Sequence, residues 1–261
     1  MAKQRIDQKL VELGLVATRS QAESYIKLGQ VTVNGKVINK PGESTGDNDA
    51  IMLNVTEQYV SRAALKLASI AATLQLDFNG KTVLDVGSST GGFTDYALRH
   101  GAKKVIAVEV GTDQLHPSLR DNPQIELHEK TDIRNVRLRR PAASSKQQAM
   151  RGADSVILEQ SPDIVVADVS FISLRDILPA IANLCTPETQ IIVMVKPQFE
   201  ATHRNLKHKG VIKNDAMRRD ILKDFEDWAK RQFIIQAKAD SVISGAKGNK
   251  ERFYLLSLAQ T

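Results

Sequence analysis

Apolar residues near the start of the chain recur with helical spacing. Ile6, Leu10 and Leu13 predict a first helix. Ser20 and Glu23 form an S-x-x-E capping box, which predicts that a second helix, SQAESYIKLG, begins there. The next segment, VTVNGKVI, alternates apolar and polar residues about an Asn-Gly pair and therefore predicts a β-hairpin.

From Tyr59 onward, apolar strands alternate with amphipathic helices. This order predicts an α/β fold in which a mostly parallel sheet is covered by helices on both faces. Seven candidate strands are TVLDVG, KVIAVEVG, IELHE, DIVVADVS, IIVMVKP, FIIQAKADSVI and RFYLLSLA. The helix after Lys213 carries one apolar stripe that includes Trp228, and we assign this tryptophan to the core rather than to base stacking.

Charge divides the chain into two regions. Residues 1–42 carry seven basic and three acidic side chains, whereas residues 43–57 hold four acidic side chains and no basic one. We therefore predict a first domain over residues 1–58, with an acidic linker from about residue 43, and a second domain over residues 59–261. The net charge of +6 and the pI near 9.3 favour a polyanionic partner.

Composition disfavours several classes of protein. Cys185 is the only cysteine, which excludes an internal disulfide, and its apolar surroundings indicate a buried thiol rather than a nucleophile. The chain has no apolar signal segment at its start and no run of about 18 apolar residues that could span a membrane. The five histidines lack the spacing of metal ligands, so no metal is expected. These features predict a cytoplasmic protein.

One basic segment interrupts the alternation of strands and helices. Residues 137–152, RLRRPAASSKQQAMRG, contain five basic residues and no acidic one. Their Ser, Ala and Gln content is typical of a surface insertion, and contact with RNA through it is an open alternative.

A glycine-rich turn follows the first strand of the second region. The stretch TVLDVGSSTGGFTD runs from an apolar strand into a turn and then a helix, a pattern typical of a nucleotide or nucleoside site. Its spacing fits neither the dinucleotide fingerprint nor the P-loop. It resembles the first motif of S-adenosylmethionine methyltransferases, a resemblance that implies a Rossmann-like fold and places Asp85 near the methionine half of the cofactor. An ordinary strand–helix turn is the alternative.

Five polar residues stand at the ends of predicted strands. They are Asp85, Glu109, Asp132, Asp168 and Lys196. Because ligands of open α/β sheets bind beyond the carboxyl ends of the strands, we expect these side chains to share one site. A carboxylate at Glu109 can accept hydrogen bonds from both hydroxyls of a ribose.

The first region resembles a known RNA-binding module. The segment RIDQKLVELGLVATRSQAESYIKLGQVTVNGKVINKPGE is similar to the S4 domain over nearly its whole length. The resemblance implies that basic residues of the second helix and the adjoining loops face folded RNA. The RNA-binding candidates are Arg5, Arg19, Lys27 and Lys36. Each of them singly is also compatible with an ordinary solvated surface charge.

Five motifs carry a resemblance that extends over nearly the whole chain. YVSRAALKL, DVGSSTGGFTD, VADVSFISL, MVKPQFE and GNKERFYLL occur in the order found in the TlyA-type family, also called the hemolysin A family. This family joins an S4 domain to an FtsJ-like ribose methyltransferase. The resemblance implies methyl transfer from S-adenosylmethionine to the ribose 2′-OH of cytidines in ribosomal RNA or ribosomal subunits.

The same resemblance implies the site residues. The catalytic tetrad falls on Lys66, Asp168, Lys196 and Glu251. The cofactor-binding residues fall on Asp85, Gly87, Ser89, Gly91, Gly92, Glu109 and Asp132.

The chemistry of the reaction supports such a tetrad. A ribose 2′-OH is a poor nucleophile, so the site must orient the hydroxyl and accept its proton. We expect Lys196 to be the proton acceptor, in the uncharged form that burial and neighbouring positive charge favour, and Asp168 to align it. Lys66 and Glu251 would position the ribose and pair with the lysines.

Three alternatives stay open at this stage. The tetrad could be a structural ion-pair cluster, with Lys66 on an exposed helix position. The chain could be an inactive RNA-binding or ribosome-assembly protein, or a membrane-active hemolysin. It also departs from the family pattern at Ala63, usually glycine, at Glu109, usually aspartate, and in the basic loop FEATHRNLKHKG, usually rich in glycine.

Overall fold

The protein is described here by a computed structural model, which covers residues 4–55, 58–139, 156–201, 210–245 and 248–259. Residues 4–55 form an N-terminal module and residues 58–259 a C-terminal module. Most of the basic segment 137–152 and most of the loop after Phe199 lie outside the described residues.

The N-terminal module combines two helices with short strands. Its elements are β1 (Gln4–Arg5), α1 (Ile6–Glu12), α2 (Arg19–Lys27), β2 (Val31–Val33), β3 (Lys36–Val37), β4 (Ser44–Thr45) and β5 (Ile51–Leu53). The predicted hairpin is confirmed, since β2 pairs antiparallel with β3. Asn34 and Gly35 connect the two strands with φ of 50° and 79°, the left-handed conformations that a tight hairpin turn requires.

The start of the second helix was predicted two residues too late. The N-cap is Thr18, whose side chain accepts a hydrogen bond from the Gln21 backbone N–H. The Gln21 side chain in turn accepts from the backbone N–H of Ala17. Thr18 and Gln21 therefore form the capping pair, because they stand where the chain enters the helix, and Ser20 and Glu23 lie within its first turns.

The first helix is shorter than its apolar pattern predicts. Ile6 and Leu10 are fully buried, but Leu13 lies just after the helix end and is 50% exposed. The helix therefore ends at Glu12, one residue before the last position of the predicted apolar pattern.

The C-terminal module alternates helices and strands. Its first half contains α3 (Arg62–Ala71), β6 (Thr82–Val86), α4 (Gly92–Arg99), β7 (Lys104–Val108), α5 (Pro117–Arg120), β8 (Ile125–His128), a 3₁₀ turn (Ile133–Asn135) and β9 (Arg137–Leu138). Its second half contains β10 (Ile157–Leu158), β11 (Ile164–Ala167), a 3₁₀ turn (Leu174–Asp176), α6 (Leu178–Ala182), β12 (Gln190–Val195), α7 (Pro197–Glu200), α8 (Asp215–Ala229), β13 (Phe233–Asp240) and β14 (Arg252–Leu258).

All seven predicted strands join one sheet in the order β13-β14-β12-β11-β6-β7-β8. The five strands from β12 to β8 run parallel, whereas β14 pairs antiparallel with both β12 and β13. The predicted α/β class with a mostly parallel seven-stranded sheet is therefore confirmed. The carboxyl ends of the parallel strands consequently meet at one edge.

Each face of this sheet is covered by helices. Residues of α3 and α4, including Leu67 and Phe93, pack on one face, and residues of α6 and α8, including Ile181 and Phe225, pack on the other. Trp228 is partly buried against the second of these cores, with its ring 5.9 Å from that of Phe225, so its assignment to the core is confirmed.

The first residues of the basic segment form a short strand, whereas the sequence predicts a surface insertion there. Arg137 lies in β9, which pairs parallel with β10. Arg139 forms a salt bridge with Glu159 at 2.7 Å. These first residues are therefore attached to a small two-stranded ladder, because a strand on the far side of the segment is available to pair with them.

Candidate active site

Strand pairing places two predicted catalytic residues side by side. Val195, the last residue of β12, pairs with Arg252, the first residue of β14. Because these strands are antiparallel, the next position beyond Val195 faces the position before Arg252. Lys196 and Glu251 are therefore neighbours at this edge of the sheet.

Lys196 is held by two groups from the segment after β11. Its Nζ lies 2.5 Å from Asp168 Oδ1 and donates a hydrogen bond to Ser170 Oγ at 2.8 Å. Asp168 follows the last residue of β11, and its backbone N–H donates to the carbonyl of Val86 at 3.2 Å. The two adjacent parallel strands thus fix where this ion pair lies.

Lys66 and Glu251 form the second ion pair. Lys66 Nζ lies 2.6 Å from Glu251 Oε2, and the two side chains are only 10% and 3% exposed. The alternative that Lys66 occupies an exposed helix position is therefore wrong, because α3 turns this residue inward. The four predicted tetrad residues form two buried lysine–carboxylate pairs at the same strand ends.

A cavity of about 400 Å³ opens beside the Asp168 pair. It is lined by Val86, Gly87, Ser89, Val108, Glu109, Val110, Gln114, Thr131, Asp132, Ile133, Asp168, Val169, Ser170, Phe171, Ile172 and Ile177. The predicted cofactor residues Gly87, Ser89, Glu109 and Asp132 are brought together here. Asp85, Gly91 and Gly92 lie behind this lining rather than in it.

Asp85 is a fully buried carboxyl group. Its Oδ2 accepts a hydrogen bond from Thr94 Oγ1 at 2.6 Å, whereas Oδ1 has no hydrogen-bond partner among the described residues. Burial, together with the nearby Asp168 and Glu109 carboxylates, raises the pKa of Asp85 to about 7. An incompletely paired carboxyl group is costly to bury, so its presence indicates a function at this position.

The raised pKa of Asp85 predicts a pH-dependent stability. In the unfolded chain the group titrates near 3.8, so the folded state binds the proton more tightly. The contribution of this protonation to the free energy of unfolding is complete below about pH 4, and it is lost as the pH rises through 7. Between pH 5 and 8 we expect the free energy of unfolding of the wild type to fall relative to that of Asp85→Asn by on the order of 2–3 kcal/mol. Denaturant unfolding of both proteins across this range measures the difference, and parallel curves would contradict it.

Glu109 and Asp132 are fixed by backbone groups. The two oxygens of Glu109 accept hydrogen bonds from the backbone N–H groups of Ser89, at 2.9 Å, and Gly111, at 2.8 Å. Asp132 caps the following 3₁₀ turn and pairs with Arg134 at 2.6 Å, and this guanidinium lowers the pKa of Asp132. Both carboxylates thus enter the cavity wall in defined orientations, with lone pairs left for a ligand.

Gly91 and Gly92 leave no room for a side chain against neighbouring elements. A Cβ on Gly91 would lie 2.6 Å from Leu115 and Leu119 side-chain atoms, and one on Gly92 would lie 2.3 Å from Ser61 Oγ and 2.7 Å from Ala63 Cβ. Neither glycine lines the cavity, and their contact with a cofactor stays a prediction. Gly87 shares a positive φ with Gly91, 77° against 87°, but it differs in lining the cavity, where a Cβ would lie 3.2 Å from the Asp168 carbonyl oxygen.

The contact between Gly92 and Ala63 predicts a non-additive pair of substitutions. Gly92→Ala is expected to destabilise the protein by about 1–3 kcal/mol through overpacking between α4 and α3. Ala63→Gly costs about 1 kcal/mol in the wild type through helix propensity but costs less in the Gly92→Ala background, since it removes one clash. Thermal unfolding of the four proteins measures this coupling. Gly46→Ala, whose Cβ meets only ordinary contacts, is the neutral control; strict additivity would refute the contact.

Glu200 is a buried residue of the site that sequence reasoning missed. It lies in α7, one turn after Lys196, and accepts hydrogen bonds from Ser173 Oγ at 2.7 Å and from the Leu174 backbone N–H at 2.8 Å. It thereby ties the segment after Asp168 to the helix after Lys196. The spacing of four residues from Lys196 in MVKPQFE was the available signal, because it places Glu200 about one helical turn after Lys196.

Phe171 is a second residue that sequence reasoning missed. It lines the mouth of the cavity with its side chain 92% exposed, and its φ of 67° is unusual for a bulky residue. Its ring centroid lies 5.3 Å from that of Phe199. The cost of exposing an aromatic ring in a strained backbone conformation indicates a function.

The RNA-binding candidates lie apart from this cavity. Arg5 and Arg19 both donate to the fully buried Asp7 carboxylate, at 2.9 and 2.7 Å, and their pairing lowers the pKa of Asp7 against the opposing effect of burial. Lys27 is exposed beside a polar cleft between the two modules, and Lys36 is exposed on the hairpin. The structure brings two of the four candidates together.

Among the residues that the structure describes, no group of three or more His, Cys, Asp or Glu side chains is arranged to hold a metal ion. None of the helices described has the length and apolarity needed to cross a lipid bilayer.

The fold and the site together define a class of protein. The seven-stranded sheet ends in an antiparallel hairpin, and acidic residues at the ends of its parallel strands surround one cavity. This combination is that of the Rossmann-like methyltransferases. Residues 59–258 match the family model of the FtsJ-like methyltransferases, and residues 4–51 match the S4 domain. The chain belongs to the FtsJ-like methyltransferase family, in the TlyA and hemolysin A group that carries an S4 domain. It is therefore an enzyme of the methyltransferase class.

Named relatives and a solved structure agree with this placement. The chain is 39% identical over 210 residues to the 23S rRNA (cytidine-2′-O)-methyltransferase TlyA of Campylobacter jejuni, covering 79% of this chain and 74% of the relative. It is 32% identical over 255 residues to the 16S/23S rRNA (cytidine-2′-O)-methyltransferase TlyA of Mycobacterium tuberculosis, covering 97% and 89%. A structure described as a candidate hemolysin from Streptococcus thermophilus has a TM-score of 0.66 and 34% identity, and the match covers 100% of this chain and 90% of that one.

Proposed function

We propose that the protein transfers a methyl group from S-adenosylmethionine to the ribose 2′-OH of a cytidine in ribosomal RNA. The observation that carries this proposal is the two lysine–carboxylate contacts at the sheet edge, Lys196–Asp168 and Lys66–Glu251, the first of which has Asp168 in the cavity wall. The activities named for the Campylobacter and Mycobacterium relatives support the substrate class.

The cavity residues fit this cofactor. Glu109 and Asp132 offer fixed carboxylate oxygens for ribose hydroxyls or adenine amino groups, and Asp85 offers an unpaired oxygen behind Gly87. When bound, S-adenosylmethionine supplies an electrophilic methyl group. We assign its binding to Gly87, Ser89, Glu109 and Asp132. We assign to Asp85, which lies outside the cavity lining, a supporting role through its unpaired oxygen.

We assign the proton transfer to Lys196. After the Lys196 ammonium has released a proton to solvent, its neutral amine accepts the proton of the 2′-OH as the oxygen takes the methyl group, and Asp168 with Ser170 holds Nζ in position through the contacts at 2.5 and 2.8 Å. Lys66, from α3, and Glu251, which directly precedes β14, orient the ribose. The low exposure of all four side chains excludes bulk water from the proton transfer.

Phe171 is assigned to the nucleobase. An exposed ring at the cavity mouth offers a flat surface on which a base can stack, a contact worth about 1–3 kcal/mol. Phe171→Ala is therefore expected to raise KM for RNA by roughly 5- to 100-fold with an unchanged Kd for S-adenosylmethionine. Phe171→Tyr should retain most of the affinity. Ile234→Ala, an exposed apolar residue on the edge strand β13, is the matched control, and equal effects of the two alanine variants would rule out stacking.

We assign RNA docking to the first domain, residues 1–58, and the chemistry to the second, residues 59–261. Arg5, Arg19, Lys27 and Lys36 would contact phosphate groups, and Asp7 fixes the directions of the two arginines. This division follows the extents of the S4 and FtsJ-like matches.

Mass mapping of methylated nucleosides tests the proposed function. We would digest ribosomal RNA from cells with and without this chain and compare the nucleosides. Ribosomal subunits methylated with the purified protein would be treated in the same way. The proposal predicts one or more 2′-O-methylcytidines that depend on the protein and on Lys196. Calorimetric binding of S-adenosylmethionine without any dependent methylated nucleoside would instead support an RNA-binding assembly protein.

A further inference from the structure

The core of the N-terminal module includes residues of the C-terminal module. Leu65 of α3 and Ile243, which follows β13, are each 2% exposed and belong to the same apolar cluster as Leu10, Tyr25 and Ile26. The helices α2 and α3 also pack directly against each other. The two modules thus share one hydrophobic core.

Leu65 connects this shared core to Lys66. The two residues are consecutive in α3, so the side chain of Leu65 enters the N-terminal module while that of Lys66 reaches Glu251 at 2.6 Å. The position of this helix turn is set by the burial of Leu65 among residues of the N-terminal module.

Ile243 connects the shared core to Glu251. The backbone N–H of Ser241 donates to the Glu251 carbonyl at 3.0 Å, and the Ser241 hydroxyl donates to the Ile243 carbonyl at 2.8 Å. Gly245 lies so close to Glu251 that a Cβ would stand 2.2 Å from its Oε1. The turn from Ser241 to Gly245 therefore surrounds Glu251, and Ile243 anchors that turn in the N-terminal module.

We propose that the N-terminal module positions the Lys66–Glu251 pair, with Ile243 as a positioning residue for the reaction. The N-terminal module is then a structural part of the active site as well as a site for RNA. This inference rests on the proposed function. Loss of the Ile243 anchor lets the turn around Glu251 shift, and a displacement of about 1 Å in a positioned group can lower a rate by about 100-fold.

Ile243→Ala in the full chain tests the inference. We expect kcat to fall by about 10- to 100-fold, whereas the Kd values for S-adenosylmethionine and for ribosomal RNA change less than about 2-fold. Ile38→Ala is the matched control, because it removes the same atoms from the same core at a position that directly follows β3. This control should leave kcat within about 2-fold of the wild type.

A mutant cycle separates positioning from general destabilisation. If Ile243 acts through Glu251, Ile243→Ala lowers kcat in the wild type but not further in a Glu251→Gln background. Ile243→Val, which keeps most of the buried side chain, should restore most of the rate and remains usable if the alanine variant does not fold.

The inference is overturned if the Ile243 and Ile38 alanine variants have the same kcat, or if the effects of Ile243→Ala and Glu251→Gln multiply. A wild-type protein that methylates no ribosomal RNA would defeat the proposed function instead, so the two failures are distinguishable.

Discussion

Replacing Lys196 with methionine is expected to lower kcat for methyl transfer by about 10²- to 10⁴-fold, the range that a positioned general base contributes. Methionine keeps the length of the side chain but cannot accept a proton. Lys196 does not itself line the cavity, although its partners Asp168 and Ser170 do, so binding of S-adenosylmethionine should change little. Single-turnover methylation of ribosomal RNA, together with calorimetry of the cofactor, measures both quantities.

Lys196→Arg distinguishes proton acceptance from a purely electrostatic role. The guanidinium keeps the positive charge beside Asp168 but does not lose a proton in proteins. If Lys196 is the acceptor, the arginine variant is as inactive as the methionine variant. Lys223→Met, on the exposed side of α8, controls for the loss of a lysine elsewhere. Near-normal turnover by Lys196→Arg would remove Lys196 from the proton transfer.

The edge of the sheet that carries the site was predictable from the sequence. Apolar runs ending in Asp85, Asp168 and Lys196 are typical of buried parallel strands, and the carboxyl ends of such strands meet at one edge. The order of the strands was not read from these runs. The adjacency of Lys196 and Glu251 depends on the antiparallel pairing of β14 with β12, which residues distant in sequence determine.

The roles of the glycines were less accessible to sequence reasoning. Gly87, Gly91 and Gly92 look alike in the motif, yet one lines the cavity and two make room for neighbouring elements. The neighbours of Gly91 and Gly92 come from Leu115 and from Ser61, far away in the chain. A local pattern therefore predicts the turn but not which atoms fill the space around it.

Two residues show what the sequence left undetected. Ile243 appears as the end of a predicted strand, and only the fold places it in the core of the N-terminal module. Phe171 appears as an ordinary apolar residue in VSFISL, since nothing in that motif signals that its ring remains exposed. Tertiary packing, rather than local propensity, determined the position of Ile243.

Replacing Lys66 with methionine is expected to destabilise the protein by about 3–5 kcal/mol, because it leaves the Glu251 carboxylate buried without its partner. Denaturant unfolding measures this loss. Adding Glu251→Gln removes the uncompensated charge, so the double variant should recover most of the stability of the wild type.

Methylation by the same variants decides between a structural and a catalytic ion pair. A structural pair predicts that the stable Lys66→Met/Glu251→Gln protein regains activity along with stability. A catalytic pair predicts that it stays at least about 100-fold below the wild type, because neither replacement can orient the ribose hydroxyl through charge-assisted hydrogen bonds. We expect the second result. A double variant that is both stable and active would reduce Lys66 and Glu251 to a structural ion pair and leave the transfer to Lys196 and Asp168 alone.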